Sequence, residues 1–190
     1  MGEARALRKR HGQPVLIVGR AGRPIDDFDL FRGVPYLLKR AVPSPYQRLM
    51  NGPGMRPYIA EKTAARWRWK PYRPLPAEIV FSDDELEFAE RYRGRVMIEP
   101  YVKNNGHDNK AWSLEGWRQV AAWLAADGIR TVQCGPGNTT SLADTFALTP
   151  SFRYAAAVLS VSRAFIGTEG GLMHAAAAVG VPAVILWSEF

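Results

Sequence analysis

From Arg95 onward, short apolar runs alternate with amphipathic stretches long enough to be helices, and this alternation constrains the fold more than any other feature of the chain. "RVMIEP" reads as a strand, "SLEGWRQVAAWLAADG" as a helix and "IRTVQCG" as a strand. "SFRYAAAVLSVS" then reads as a helix, "AFIG" as a strand, "GLMHAAAAVG" as a helix and "PAVILW" as a strand. Strands separated by helices of this length cannot close as hairpins, so they imply parallel βαβ units with right-handed crossovers. Ser113 predicts the N-cap of the first long helix, with Leu114, Trp117, Val120, Ala121 and Leu124 on one face and Gly128 as its stop. Gly180 closes the last helix in the same way. The expectation for this half is a Rossmann-like α/β layer around a parallel sheet.

The first half is different in kind. Ten of the 14 prolines lie in residues 1–93, and from Ala41 to Pro76 the pattern breaks every few residues, so no long regular element fits there. "PVLIVG" predicts a short buried strand, "DLFRGVPYLLKR" a helical or broken helical segment, and "DDELEFAERYR" a helix with acids in its first turn and Ser82 as N-cap. "ARWRWKPYR" interleaves aromatics with cations, which suits base stacking or a sugar platform. It suits equally a loop pinned to the core by Trp67 and Trp69, and that reading is preferred.

Charge follows the same division. Residues 1–93 carry 18 Lys+Arg against 11 Asp+Glu, which accounts for the whole net charge of +7, whereas residues 94–190 carry 7 of each. A basic first half could face nucleic acid, an anionic membrane surface or a phosphorylated substrate, or be an ordinary solvated face. No nucleic-acid motif accompanies it, so nucleic acid is not expected as a partner. No apolar run reaches the length of a membrane span, and the basic start lacks the apolar stretch of a secretory signal, which makes a cytoplasmic protein the expectation. The single cysteine, Cys134, excludes an internal disulfide framework and argues against a thiolate metal cluster; a buried structural thiol is expected.

One junction invites a ligand. In "FIGTEGGLMHAAAAVGVPAVILW", Phe165 to Trp187, the turn "GTEGG" joins a strand end to a helix start, where unpaired N–H groups and the helix dipole favour an anion. Gly170 and Gly171 permit a close approach by a diphosphate and backbone angles that a side chain would forbid. Glu169 suits ligand hydroxyls or amines, and His174, one turn inside the helix, suits a phosphate oxygen. A tight packing turn with a partly buried histidine explains the same residues.

That segment resembles the nucleotide-sugar signature of glycosyltransferase family 9, the heptosyltransferase-like family: strand, Gly-Asn-Asp-Thr-Gly, two residues, His, small-residue helix, Gly-x-Pro, strand. "IEPYVKNNGHDNKAWSLEGWRQVAAWLAADGIRTVQCGPG" is similar to the family's run of strand, Pro-rich loop, Lys-x-Trp, helix, Gly, strand and glycine loop. The resemblance implies a B-type glycosyltransferase-like fold, with residues 1–93 a reduced acceptor-side region and residues 94–190 a nucleotide-sugar-binding domain, incomplete at its C-terminal end. It implies a cytoplasmic enzyme, peripheral to the inner face of the cell membrane where that surface is anionic. Such an enzyme transfers a sugar, with inversion, from an ADP-heptose-like donor to a glycan or lipid-linked acceptor of the cell envelope or a polysaccharide. The nucleotide sugar is a substrate, and neither cofactor nor metal is implied.

Position by position, the resemblance implies that Lys110 reaches the donor diphosphate and that Thr168, Glu169, Gly170, Gly171 and His174 line its pocket. The family's Asp is Glu169 here and its Thr is Gly170. The loop holding Gly135 and Gly137 borders the nucleoside or is a plain turn. The family takes its general base from a Gly-Asp pair after its first strand; this chain has no such pair there, only Asp26, Asp27 and Asp29, of which Asp26 and Asp27 are carried as the candidates beside a plain role as helix-start acids. An uncovered last strand would favour a homodimer. The alternative to an active enzyme is a non-catalytic remnant that binds nucleotide sugar.

Overall fold

The computed structural model describes residues 1–19, 22–25, 29–50, 59–63, 66–69, 71, 73–102, 110–137 and 139–187. The chain divides into two compact units, Met1–Val80 and Phe81–Phe190.

The first unit opens with α1 (Gly2–His11), whose inner face carries Ala4 and Leu7 against β1 (Val15–Val18). All four β1 residues are buried, as a continuous apolar run predicts for a strand covered on both faces. β1 lies between β2 (Leu37–Leu38) and β3 (Gln47–Met50), parallel to both. The segment expected to be helical forms only a 3₁₀ turn, Asp29–Phe31, and then β2. Gly33, at φ +79°, and Pro35 interrupt it: the first takes a left-handed conformation and the second removes a helical donor. β4 (Ile59–Lys62) and β5 (Trp67–Trp69) pair as an antiparallel hairpin. Trp69 is 63% exposed on it, so it does not pin a loop to the core.

The second unit begins with α2 (Asp83–Glu90), where Ser82 accepts from the Glu85 N–H and the Glu85 carboxylate accepts from the Ser82 N–H. This reciprocal box satisfies two otherwise orphaned donors. β6 (Val96–Glu99) follows, then α3 (Leu114–Ala126), whose first N–H groups are capped by Ser113 through a bond from the Gly116 N–H. Trp117 and Leu124 pack inward as predicted, whereas Leu114, in the first turn, is 42% exposed. β7 (Thr131–Gly135) leads to β8 (Thr145–Leu148), a strand the alternation of helices does not predict. The described residues of the connection form no helix; Asp144 accepts from the Thr131 N–H, and Gln133 bridges to the Leu142 N–H and the Thr140 carbonyl. α4 (Phe152–Ser160), β9 (Ala164–Thr168), α5 (Gly171–Val179) and β10 (Ala183–Leu186) complete the unit.

Its five strands are all parallel in the order β10-β9-β6-β7-β8. Val96 and Ile98 join Trp117, Ile129 and Ile166 in one core cluster. Strand alternation sends Met97 and Glu99 to the opposite face. β10 forms one edge and exposes Val184, and Trp187 just beyond it is exposed as well. Among the described residues no helix is long and apolar enough to cross a membrane.

Candidate functional site

The strand order places a reversal between β6 and β9: from β6 the chain winds outward to β7 and β8, then returns to β9 on the other side. In open parallel sheets such a reversal leaves a crevice at the strand C-termini, where the connections diverge. A cavity of about 450 Å³ lies there. Tyr101 and Val102 line it from beyond β6, and Thr168, Glu169, Gly170, Gly171 and Leu172 from the β9–α5 turn, with Phe152 at the start of α4.

Lys110 enters the same cavity and forms an ion pair with Glu169. Its approach is fixed by the next few residues of the chain. The Trp112 ring lies over Gly116, where an added Cβ would stand 2.5 Å from the ring, and meets Trp117 edge-on at 5.6 Å between centroids. Ser113 caps the helix beside it. The Glu169 side chain is nearly buried, at 8% exposure, while Lys110 keeps 31%, so the ammonium remains the more accessible end of the pair.

Five of the residues singled out from sequence therefore meet: Lys110, Thr168, Glu169, Gly170 and Gly171. The two glycines do so for other reasons than expected. Neither takes the left-handed conformation that only glycine adopts freely. Gly170 is extended, at φ 177°, a conformation open to any residue, and the space a side chain would enter is empty. A Cβ on Gly171 would come within 2.9 Å of the Phe152 ring, so that glycine admits a neighbour. Gly170 lends α5 no side-chain cap, which leaves first-turn N–H groups available at the cavity.

Three other positions lie elsewhere. His174 is exposed on α5, one turn in, with its N–H bonded to the Gly170 carbonyl, and it is not among the cavity-lining residues. Gly135 ends β7 against Phe146, and Gly137 sits in the turn beyond it; neither lines the cavity. Asp26 and Asp27 lie outside the described residues. Cys134 is buried, and its surroundings push the thiol up to about 12, as a structural cysteine requires.

Glu99 is the residue that sequence reading misses. It ends β6 opposite Gly167 of β9 and lines the cavity with Lys110 and Glu169. Burial pushes its carboxyl up to about 7, and a hydrogen bond from the Tyr101 backbone N–H offsets part of that. The signal was a lone carboxylate closing an apolar strand immediately before Pro100. Among the described residues no group of three or more His, Cys, Asp or Glu is placed to hold a metal ion.

The glycosyl transferase family 9 structure from Veillonella parvula DSM 2008 is 17% identical with a TM-score of 0.50, over 60% of this chain and 38% of that one. The dodecameric iron-containing heptosyltransferase TibC of enterotoxigenic E. coli H10407, in complex with ADP-D-beta-D-heptose, is 18% identical with a TM-score of 0.52, over 94% of this chain and 60% of that one. At these identities the likeness is one of fold, and the chain spans 38% and 60% of the two structures' lengths. None of the curated proteins matches. The sequence model of glycosyltransferase family 9 (heptosyltransferase) matches residues 75–189, which takes in the whole parallel sheet of the second unit and the cavity at its strand ends. The chain belongs to glycosyltransferase family 9.

Proposed function

We propose that this chain binds a nucleoside diphosphate sugar in the cavity at the ends of β6 and β9 and transfers the sugar to a glycan or lipid-linked acceptor. The observation that carries the reading is the meeting of Lys110, Thr168, Glu169, Gly170 and Gly171 around one cavity at the start of α5. The diphosphate sits against the α5 N-terminus, with Lys110 as its cation and His174 as a further donor reached from the rim. Glu169 holds the ammonium in the cavity and accepts from sugar hydroxyls. The nucleoside extends toward Gly135 and Gly137. An ADP-sugar is the first donor to try, because the TibC structure of similar fold holds ADP-D-beta-D-heptose.

In the reaction, an acceptor hydroxyl oxygen attacks the anomeric carbon from the face opposite the diphosphate. The carbon–oxygen bond to the diphosphate breaks, its electron pair leaves with that oxygen, and the anomeric configuration inverts. The hydroxyl proton passes to a carboxylate acting as general base, for which the sequence candidates are Asp26 and Asp27, outside the described residues. Negative charge grows on the leaving diphosphate, where Lys110, His174 and the helix start stabilise it most in the transition state.

A thermal-shift titration with ADP and ADP-sugars tests the reading beside Lys110→Ala and His174→Ala. A shift in the wild type that both variants lose supports it, and no shift in a folded protein rejects it. Binding without sugar transfer or donor hydrolysis selects the alternative, a nucleotide-sugar-binding remnant.

A further inference from the structure

Glu99 occupies a different chemical position in the cavity from the other two charged side chains. Lys110 and Glu169 neutralise one another as an ion pair. Glu99 stands at the end of the central strand, its backbone in register with Gly167, two residues before Glu169. Gly167 carries no side chain, and the Phe165 ring folds over the space its Cβ would fill, on the sheet face that Glu99 shares. On the same sheet face, Met97 of β6 and Phe165 of β9 pair in register and are fully buried.

A carboxyl in such surroundings keeps its proton far more readily than one in water, in line with its rise to about 7. The protonated form donates one hydrogen bond and accepts others, which matches an alcohol group. The ionised form accepts only and repels a phosphate. A phosphate subsite is therefore the wrong assignment for Glu99, while a hydroxyl-bearing ring is the right one. We propose that Glu99 is a specificity-determining residue of this cavity that hydrogen-bonds a hydroxyl of the bound molecule's uncharged portion, its ribose or its sugar. The inference rests on the donor-site reading above and adds to it a second carboxyl, at the end of the central strand, beside that of Glu169.

Isothermal titration of the full chain with inorganic pyrophosphate, ADP and ADP-glucose separates the sources of that hydroxyl. The variants are Glu99→Gln, which can still donate and accept, and Glu99→Leu, which can do neither; an unchanged far-UV circular dichroism spectrum and a single cooperative melting transition in each verify folding independently of binding. The expected result is that Glu99→Leu weakens binding about tenfold, the scale of one lost hydrogen bond, while Glu99→Gln stays within about threefold and pyrophosphate is unaffected by either. A loss that begins with ADP assigns the ribose, and a loss confined to ADP-glucose assigns the sugar. Equal losses for all three probes, or no loss for any in a wild type that binds them, overturn the role of Glu99 and leave the donor site standing. A folded wild type that binds none of the three overturns both.

Discussion

Arg153 of α4 and Glu85 of α2 meet as a two-pronged ion pair, Nε to Oε1 and Nη2 to Oε2 both at 2.7 Å, with neither side chain more than 3% exposed. Burial pushes the Glu85 carboxyl up, but the bonds from Arg153 and Ser82 outweigh it and leave it below the ordinary carboxylate value. Removing one partner strands a buried charge, so Arg153→Met alone is expected to cost about 3–5 kcal/mol in urea unfolding. Replacing both, as Arg153→Met with Glu85→Leu, is expected to recover much of that loss, less the half of the α2 capping box that Glu85 supplies. A double variant as unstable as the single would contradict this account. Because the folded carboxyl is held low, its contribution is present above the ordinary value of 4.5 and is lost as pH falls below it.

Glu99 has the opposite sign. The unfolded chain releases this proton near 4.5, whereas the folded protein holds it to about 7. Between those values the folded state binds more protons, so stability declines as pH rises, by up to about 3 kcal/mol. Glu99→Gln is neutral throughout and lacks this slope. Urea midpoints at pH 5, 6, 7 and 8 should show the variant gaining on the wild type up to about pH 7 and holding a constant lead above it; profiles parallel from pH 5 to 8 would refute the assignment.

The two turn glycines should respond differently to alanine. At Gly170 the extended backbone and open space predict a stability change within about 0.5 kcal/mol, together with weaker ADP binding, because the methyl enters the cavity. At Gly171 the new Cβ would stand 2.9 Å from the Phe152 ring. Overpacking of that kind costs about 1–3 kcal/mol, and the partly exposed ring can yield, which favours the lower end. Chemical denaturation and calorimetry of both variants check this; an undisturbed Gly171→Ala protein would show that the ring has room to move.

Cys134 should be inert until the protein opens. Burial pushes the thiol up to about 12, and the nearby Glu99 carboxylate adds to the rise. The thiolate is the reactive form, so an aromatic disulfide reagent at pH 8 is expected to titrate no thiol in the native protein and one per chain in urea. Prompt native reaction would mean that β7 opens locally.

The second unit was the more legible because its strands and helices each carry their own period and their own caps. Ser82, Ser113 and Gly180 mark helix limits that the structure reproduces. β8 escaped because "TFAL" is four residues long and follows a polar loop with no helix-like period before it; side-chain bonds from Gln133 and Asp144 do that loop's organising, and periodicity does not register them. In the first unit Gly33 and Pro35 overrode the helical pattern around them. The turn and Lys110 were readable as a site from motif order, but Glu99 was not, since a strand's last residue reveals its surroundings only once the neighbouring strands are known.

The placement of β6 has a consequence for how the chain matures during synthesis. Its two sheet neighbours, β7 and β9, are both made after it, and β9 emerges only when α3, β7, β8 and α4 have already left the ribosome. Until Ala164–Thr168 appears, one flank of Val96–Glu99 offers unsatisfied backbone groups and apolar side chains to whatever is near. The nascent protein thus passes through a long interval in which its central strand needs shielding, and conditions that slow elongation between Gly135 and Ala164 should raise its dependence on chaperones.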